Sequence, residues 1–263
     1  MRKWLIGMVL VLVAFFVWVP LWLLLSGSLM GAEEMAQNLA PVLKNAEGTA
    51  VWPLLPMYPT LKPYVELLLD TPQFFAMFWN SCRQVFPVVL GQVLIGAPAA
   101  WAFARFRFRG KKALFSLYIV LMLMPFQVTM MPTYLVLDRL NLLDTLTGII
   151  LPAAFSTFPV FIMYRFFRGI PQALIESAEL DGAGSFRIFW SIGLPLGAGG
   201  VMSAVVLGFL DCWNLIEPPM TYLKTKALWP LSLYLPQVVT GRAGLALAAS
   251  VVALIPAILV FLY

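Results

Sequence analysis

An all-α, polytopic membrane fold is predicted for this 263-residue chain by three observations. Hydrophobic residues make up 62 % of it and charged ones 11 %, far from the roughly half apolar and quarter charged usage of soluble domains. Unbroken apolar stretches of about 20 residues recur, each long enough to cross about 30 Å of hydrocarbon as a helix and longer than the strands of a barrel. The basic residues are unevenly placed, as they are in the loops of a chain threaded through a bilayer.

The first apolar block, WLIGMVLVLVAFFVWVPLWLLLSG, follows Arg2 and Lys3. It exceeds the about 7 to 15 apolar residues of a cleavable signal, so residues 1–27 are expected to be an uncleaved signal anchor and first transmembrane helix. Residues 28–72 are mixed, Pro-rich and acidic, which predicts an extracytoplasmic segment with one or two short helices. Residues 73–263 then hold a five-helix core, with spans expected near 73–105, 113–137, 146–167, 194–214 and 244–263.

Six crossings from an inside N-terminus place both termini in the cytoplasm. Ten of the 17 basic residues then fall inside: Arg2, Lys3, Arg105, Arg107, Arg109, Lys111, Lys112, Arg165, Arg168 and Arg187. That asymmetry sets the orientation. Eight of the 12 acids fall outside and Asp211 at a span end, so only Glu176, Glu179 and Asp181 are left inside.

Several functions are disfavoured by what the chain lacks. It has no histidine, the commonest general base and metal ligand. Cys82 and Cys212 have no motif spacing, so no metal site and no disulfide is expected, and both are read as small apolar packers. The net charge of +5 follows the loops and needs no nucleic acid to explain it. Gly200, Ala204 and Gly208 recur every four residues in the fifth span, as Gly96 and Ala100 do in the second, which suits close helix packing.

The three inside acids lie in IPQALIESAELDGAGSFRIFWSIGLP, residues 170–195. Pro171 suits a first helical turn and Gly182 suits the left-handed residue that ends a helix, so a short helix over about 171–180 is predicted. Ser185 can cap a second helix with Phe186, Phe189 and Trp190 on one face, before Pro195 opens the fifth span. Glu179 and Asp181 would sit at the negative end of the first helix, disfavoured by about 0.3–1 kcal/mol each. A group on a partner, solvent, or pairing with Arg187 could offset that cost.

These residues carry a resemblance. Glu176, Ser177 and Ala178, then Gly182, then Ile192, Leu194 and Pro195 fit the EAA motif of binding-protein-dependent ABC importer permeases, with Ser177 replacing an alanine. The stretches NSCRQVFPVVLGQVLIGAPAAWAFARFRFRGKK, LMPFQVTMMPTYLVLDRLNLLDTLTGIILP and FLDCWNLIEPP resemble the carbohydrate-uptake branch, in particular the second permease subunit of maltose-type and glycerol-3-phosphate-type importers. The segment 28–71 matches no motif.

The resemblance implies a type I ABC importer permease fold in a bacterial or archaeal cytoplasmic membrane. It implies that loop 169–195 docks in an ATPase subunit through Glu176, Ser177, Ala178, Asp181, Gly182, Ile192, Leu194 and Pro195. It also implies four partners: a second homologous permease, a cytoplasmic ATPase dimer, an extracytoplasmic solute-binding protein and the lipid bilayer. The chain lacks a G-x-x-x-x-G-K-[ST] loop, so ATP and Mg belong to the ATPase, and neither a catalytic residue nor a bound cofactor is expected here.

Polar residues inside membrane helices default to functional candidates. On the solute pathway these are Asn80, Ser81, Gln84, Gln127, Asp211, Trp213 and Asn214, with Arg83 and Thr129 beside them. Amides and carboxylates suit sugar hydroxyls and an aromatic face suits the ring, while interhelical hydrogen bonding or interfacial anchoring would use the same residues. A secondary transporter and a non-transporting scaffold with a docking loop are the alternatives. The first would place ionisable groups at mid-membrane, and only Arg83 and Asp211, both near span ends, come close.

Overall fold

The computed structural model describes residues 2–43, 47, 49–239 and 242–262. Among the described residues the regular elements are all helical. Four helices are long and apolar enough to cross a bilayer: Ile6–Ser28, Pro72–Arg105, Leu146–Gly169 and Ala243–Leu262. Two bent pairs bring the number of crossings to six if each pair is one span.

The expected third span, 113–137, is one of these pairs. Helix Lys111–Leu123 meets helix Phe126–Arg139 at 102°. Met124 is extended, with φ −71° and ψ 126°. Its neighbour Pro125 causes this, because the proline ring crowds the helical conformation of the residue before it and supplies no N–H to the ladder. Each arm spans only about 20 Å at 1.5 Å per residue, less than the hydrocarbon thickness.

The expected fifth span, 194–214, is corrected in the same way. Helix Ala198–Trp213 joins helix Ser185–Leu196 at a 70° bend. Pro195 therefore lies inside a helix and does not open the span. The ladder adapts just before it: Phe189–Gly193 forms a π turn, and the Leu194 N–H donates to the Phe189 carbonyl five residues back. The break falls at Gly197, where a Cβ would run into the Phe167 ring.

The described chain forms two compact units. Met1–Phe78 with Leu233–Leu259 is one. In chain order, helices Ala32–Asn38 and Lys62–Leu69 follow its first long helix. Met30, Met35 and Leu39 are buried with Ala243 and Leu247 against them. Polar ties fasten this cluster: Ser28 Oγ and Tyr64 OH are 2.6 Å apart, the Met57 N–H donates to Glu34 Oε1 at 2.8 Å, and Arg242 pairs with Glu66. Among the described residues of 28–71, which matched no motif, side-chain bonds thus join Ser28 to Tyr64 and Glu34 to Met57, and Arg242 adds a tie to Glu66.

The other unit is Trp79–Ser232 with Val260–Tyr263. Its core gathers Trp101, Phe103, Val160, Met163, Phe167, Ile175 and Ile188, with Ala178, Ile192 and Leu194 half-buried against it. The ladder Gly200, Ala204 and Gly208 is on the buried side of its helix. Tyr263, the expected end of the last span, lies outside the described residues.

Candidate functional site

The helix, turn and helix predicted around 171–195 are present as helix Gln172–Leu180, a turn, and helix Ser185–Leu196. Pro171 occupies the N-cap position, and Gly182 has φ +80°. Two hydrogen bonds close the first helix: the Gly182 N–H donates to the Glu179 carbonyl at 3.0 Å and the Ala183 N–H to the Ala178 carbonyl at 2.9 Å. This pair defines a Schellman closure, which needs a left-handed residue at position 182. Ala178 and Ala183, brought together by the closure, both pack on the core below.

The cap of the second helix falls at Gly184 rather than Ser185, with the Ile188 N–H donating to the Gly184 carbonyl at 3.0 Å. The predicted aromatic face is divided. Phe186 and Trp190 are exposed and stack with centroids 6.3 Å apart, whereas Phe189 turns inward. There it meets Trp101 at 5.7 Å and Phe167 at 6.3 Å, closing an aromatic triangle whose third side, Trp101 to Phe167, is 5.5 Å.

Glu176, Ser177, Asp181, Gly182 and Pro195 are exposed, while Ala178, Ile192 and Leu194 are half-buried. The carboxylates of Glu176, Glu179 and Asp181 have no ion pair or hydrogen bond with the described residues, Arg187 included. The element therefore offers three free carboxylates on a rigid, Schellman-closed helix. Such groups can accept charge-assisted hydrogen bonds from cationic side chains of another polypeptide.

At its expected outer end the same unit has an open cleft of ≈ 860 Å³. Asp211, Asn214, Glu217 and Ser156 supply its polar groups, and Met122, Phe158, Leu207 and Leu210 part of its apolar wall. Gln127 joins it indirectly, its Nε2 donating to Glu217 Oε1 at 2.8 Å. Asn214 Nδ2 donates to the Leu210 carbonyl at 2.8 Å, which leaves the side-chain oxygen and the second amide N–H for a ligand. The lining carries two carboxylates and no basic residue.

The remaining pathway candidates stand apart from this cleft. Asn80 is buried and donates to the carbonyls of Ala227 at 2.7 Å and Trp229 at 3.2 Å. Ser81 accepts the Leu231 N–H at 2.8 Å, also in a buried setting. Gln84 is buried with both amide atoms unpartnered. Trp213 is buried and stacks on Phe209 at 5.4 Å. Arg83 faces an apolar groove with Trp79, Phe86 and Pro87. Thr129 donates to the Phe126 carbonyl of its own helix at 3.1 Å.

Two residues were read from sequence only for their charge. Glu217 counted as an outside acid, although the following Pro218 and Pro219 marked it as the start of a helix, Glu217–Tyr222. Arg105 counted as a topology marker, yet its guanidinium lies among the carbonyls at the end of helix Thr157–Gly169.

Residues 92–263 match the family described as "Binding-protein-dependent transport system inner membrane component". The chain is 25 % identical over 264 residues to the arabinooligosaccharides transport system permease protein AraQ of Halalkalibacterium halodurans, covering 99 % of this chain and 91 % of that protein. It is 32 % identical over 218 residues to a probable ABC transporter permease protein of Pyrococcus horikoshii, covering 80 % and 78 %. It is 34 % identical over 162 residues to the sn-glycerol-3-phosphate transport system permease protein UgpE of Yersinia pestis, covering 62 % of this chain and 53 % of that protein, about half its length. Among solved structures, a chain of a bacterial ABC transporter involved in the import of the acidic polysaccharide alginate has the same fold. That chain aligns with a TM-score of 0.82 at 23 % identity, over 99 % of this chain and 95 % of that one.

Proposed function

The chain belongs to the family of binding-protein-dependent transport system inner membrane components, and from that premise we propose that it is one of two homologous permease subunits of an ATP-driven carbohydrate importer. Helix Gln172–Leu180 and the turn at Gly182 dock in a separate cytoplasmic ATPase, through Glu176, Ser177, Ala178, Asp181 and Gly182. Ile192, Leu194 and Pro195 carry the resulting tilt into the following helix. The observation that supports this most directly is the Schellman-closed helix with three exposed, unpartnered carboxylates, two of them, Glu176 and Asp181, at positions the motif marks. Alternating access then follows from the rocking of helix groups around a fixed pathway.

The cleft with Asp211, Asn214 and Glu217 is the pathway wall contributed by this chain, with Gln127 orienting Glu217. Asn80 and Ser81 support it by holding the segment 227–231 and Trp213 by packing on Phe209, while Gln84 keeps both amide atoms unpartnered. Carboxylates and an amide oxygen accept hydrogen bonds from sugar hydroxyls, and an arabino-oligosaccharide relative agrees with that chemistry. A solute-binding protein delivers the sugar from outside, and both termini face the cytoplasm across six spans.

The test is to purify the chain from its native membrane and to reconstitute what accompanies it. An ATPase, a second permease and a solute-binding protein should co-purify, and uptake of radiolabelled arabinotriose or maltotriose should require ATP inside the vesicle. Uptake that follows an ion gradient without an ATPase would identify a secondary transporter. Co-purification without uptake of any offered sugar would leave a scaffold.

A further inference from the structure

Arg105 ends the 34-residue helix Pro72–Arg105 and lies where three other elements converge. Its Nη2 donates to the carbonyls of Phe167 at 2.6 Å and Ile170 at 2.5 Å. Its Nη1 donates to Gln172 Oε1 at 3.2 Å, and its guanidinium carbon lies 5.6 Å from the centroid of the Trp101 ring. The two carbonyls belong to the last turn of helix Thr157–Gly169 and to the residue after it, where a helix leaves acceptors without partners and its dipole favours a cation. Gln172 is the first residue of the docking helix.

A guanidinium presents its donors in a fixed planar fork, so one side chain can hold these acceptors together in a way a lysine ammonium on a flexible stem does not reproduce. Trp101, one turn back, fixes the fork from the other side by packing on Phe167 and Phe189. The long helix is also gripped near its other end within the same unit, where Asn80 and Ser81 hold Ala227, Trp229 and Leu231. The stretch 80–105 spans about 38 Å as helix. Polar anchors at both ends of one helix, continuous through Pro87 and Pro98, make it a mechanical link.

We propose that Arg105 is a positioning residue for energy coupling: it fastens the start of the docking helix to the long helix, so that a tilt imposed on residues 172–180 is carried into helix Pro72–Arg105 as well as into the chain-connected helices on either side. This rests on the proposed coupling function. It goes beyond the motif, which assigns no role to Arg105 or Gln172.

Hydrogen-exchange mass spectrometry on the complete transporter in nanodiscs, with and without ATP and vanadate, separates the two claims. In the wild type, peptides covering 172–180 and the inner end of the long helix near 100–108 should both change exchange when nucleotide is trapped. In Arg105→Gln and in Gln172→Ala the response at 172–180 should persist while that near 100–108 falls about tenfold, the scale of a typical coupling energy. Arg105→Lys should fall between. Gln172 is exposed and its replacement leaves both carbonyl bonds in place, so this variant keeps the test open if Arg105→Gln fails to assemble. A purely structural cap would raise exchange at 167–170 without nucleotide and leave the nucleotide-dependent difference intact. An unchanged difference near 100–108 in Gln172→Ala overturns the proposal. Absence of any nucleotide response at 172–180 in the wild type overturns the coupling function itself.

Discussion

Asp144 holds Thr225 twice, accepting its backbone N–H at 2.8 Å and its hydroxyl at 2.6 Å. It also accepts the Lys224 N–H at 2.9 Å, while its own N–H donates to the Tyr222 carbonyl at 2.9 Å. The result is a latch between the corner 140–145 and the loop after helix Glu217–Tyr222, near the cleft acid Glu217. The Thr225 hydroxyl first, and then the backbone N–H groups, hold the Asp144 carboxyl below its ordinary value, about 3.9 when free. A depressed folded value means the latch contributes fully above the ordinary value and is lost as pH falls through the folded one. Asp144→Asn should therefore lower the melting temperature of the detergent-solubilised protein at pH 7. The gap to the wild type should close as pH is brought below about 4. An equal gap at both pH values would rule out the charged latch.

Gly182 tests the docking turn. Its φ of +80° is hostile to side chains, but a Cβ there would meet nothing within 4 Å, so any cost is conformational rather than steric. Gly182→Val should cost about 1–2 kcal/mol. Gly182→Asn, whose short polar side chain tolerates the left-handed region, should cost much less. In the reconstituted transporter the valine variant should lose ATPase stimulation by the loaded binding protein and the asparagine variant should retain most of it. Equal stimulation in both would separate the turn from coupling.

Asp211 carries the prediction on solute chemistry. A carboxylate that accepts a sugar hydroxyl contributes about 1.5–3 kcal/mol, so Asp211→Asn should raise the transport KM for a neutral oligosaccharide about ten- to hundredfold. With Glu217 beside it and no basic residue in the lining, an anionic solute should be a poor competitor in the wild type. It should improve when both acids are neutralised. Uptake assays with maltotriose against an oligogalacturonate read both effects. A wild type that prefers the anionic sugar would exclude these acids from the pathway.

The helix–turn–helix at 172–196 was legible because its signals are local. Gly182 demands a particular turn, Pro171 starts a helix, and both act within ten residues of Glu176. The bend within the third expected span was not legible because hydropathy integrates over a window and does not register that Pro125 forces Met124 out of the helix. Phe189 was placed on the wrong face because i, i+3 and i+4 were grouped as one face, whereas positions 189 and 190 point about 100° apart on a helix and the core takes Phe189. Arg105 was invisible for a different reason: its partners are main-chain carbonyls 62 and 65 positions away, and a backbone acceptor leaves no mark in the sequence. In the cleft, Asp211, Asn214 and Glu217 lie close together in the sequence, and only Ser156 and, through Glu217, Gln127 come from distant helices.

The small-residue ladders make the last prediction, because spacing alone ranks Gly96 with Gly200 and their surroundings do not. A Cβ on Gly200 would lie 2.6 Å from both Cβ and Cγ of Phe166, atoms that cannot move without the backbone of helix Thr157–Gly169. Gly200→Ala should thus push two helices apart and cost about 1–3 kcal/mol, the usual scale for overpacking. A Cβ on Gly96 would meet Met163 Cε at 2.8 Å, with Val160 Cγ2 next at 3.4 Å. That methyl is the far end of an unbranched side chain with three rotatable bonds and can swing aside. Alanine is also the better helix former by up to about 1 kcal/mol. Gly96→Ala should be neutral or slightly stabilising in thermal unfolding while Gly200→Ala is clearly destabilising. Equal losses at the two positions would show that the close approach of helices is the same at both, contrary to the packing described.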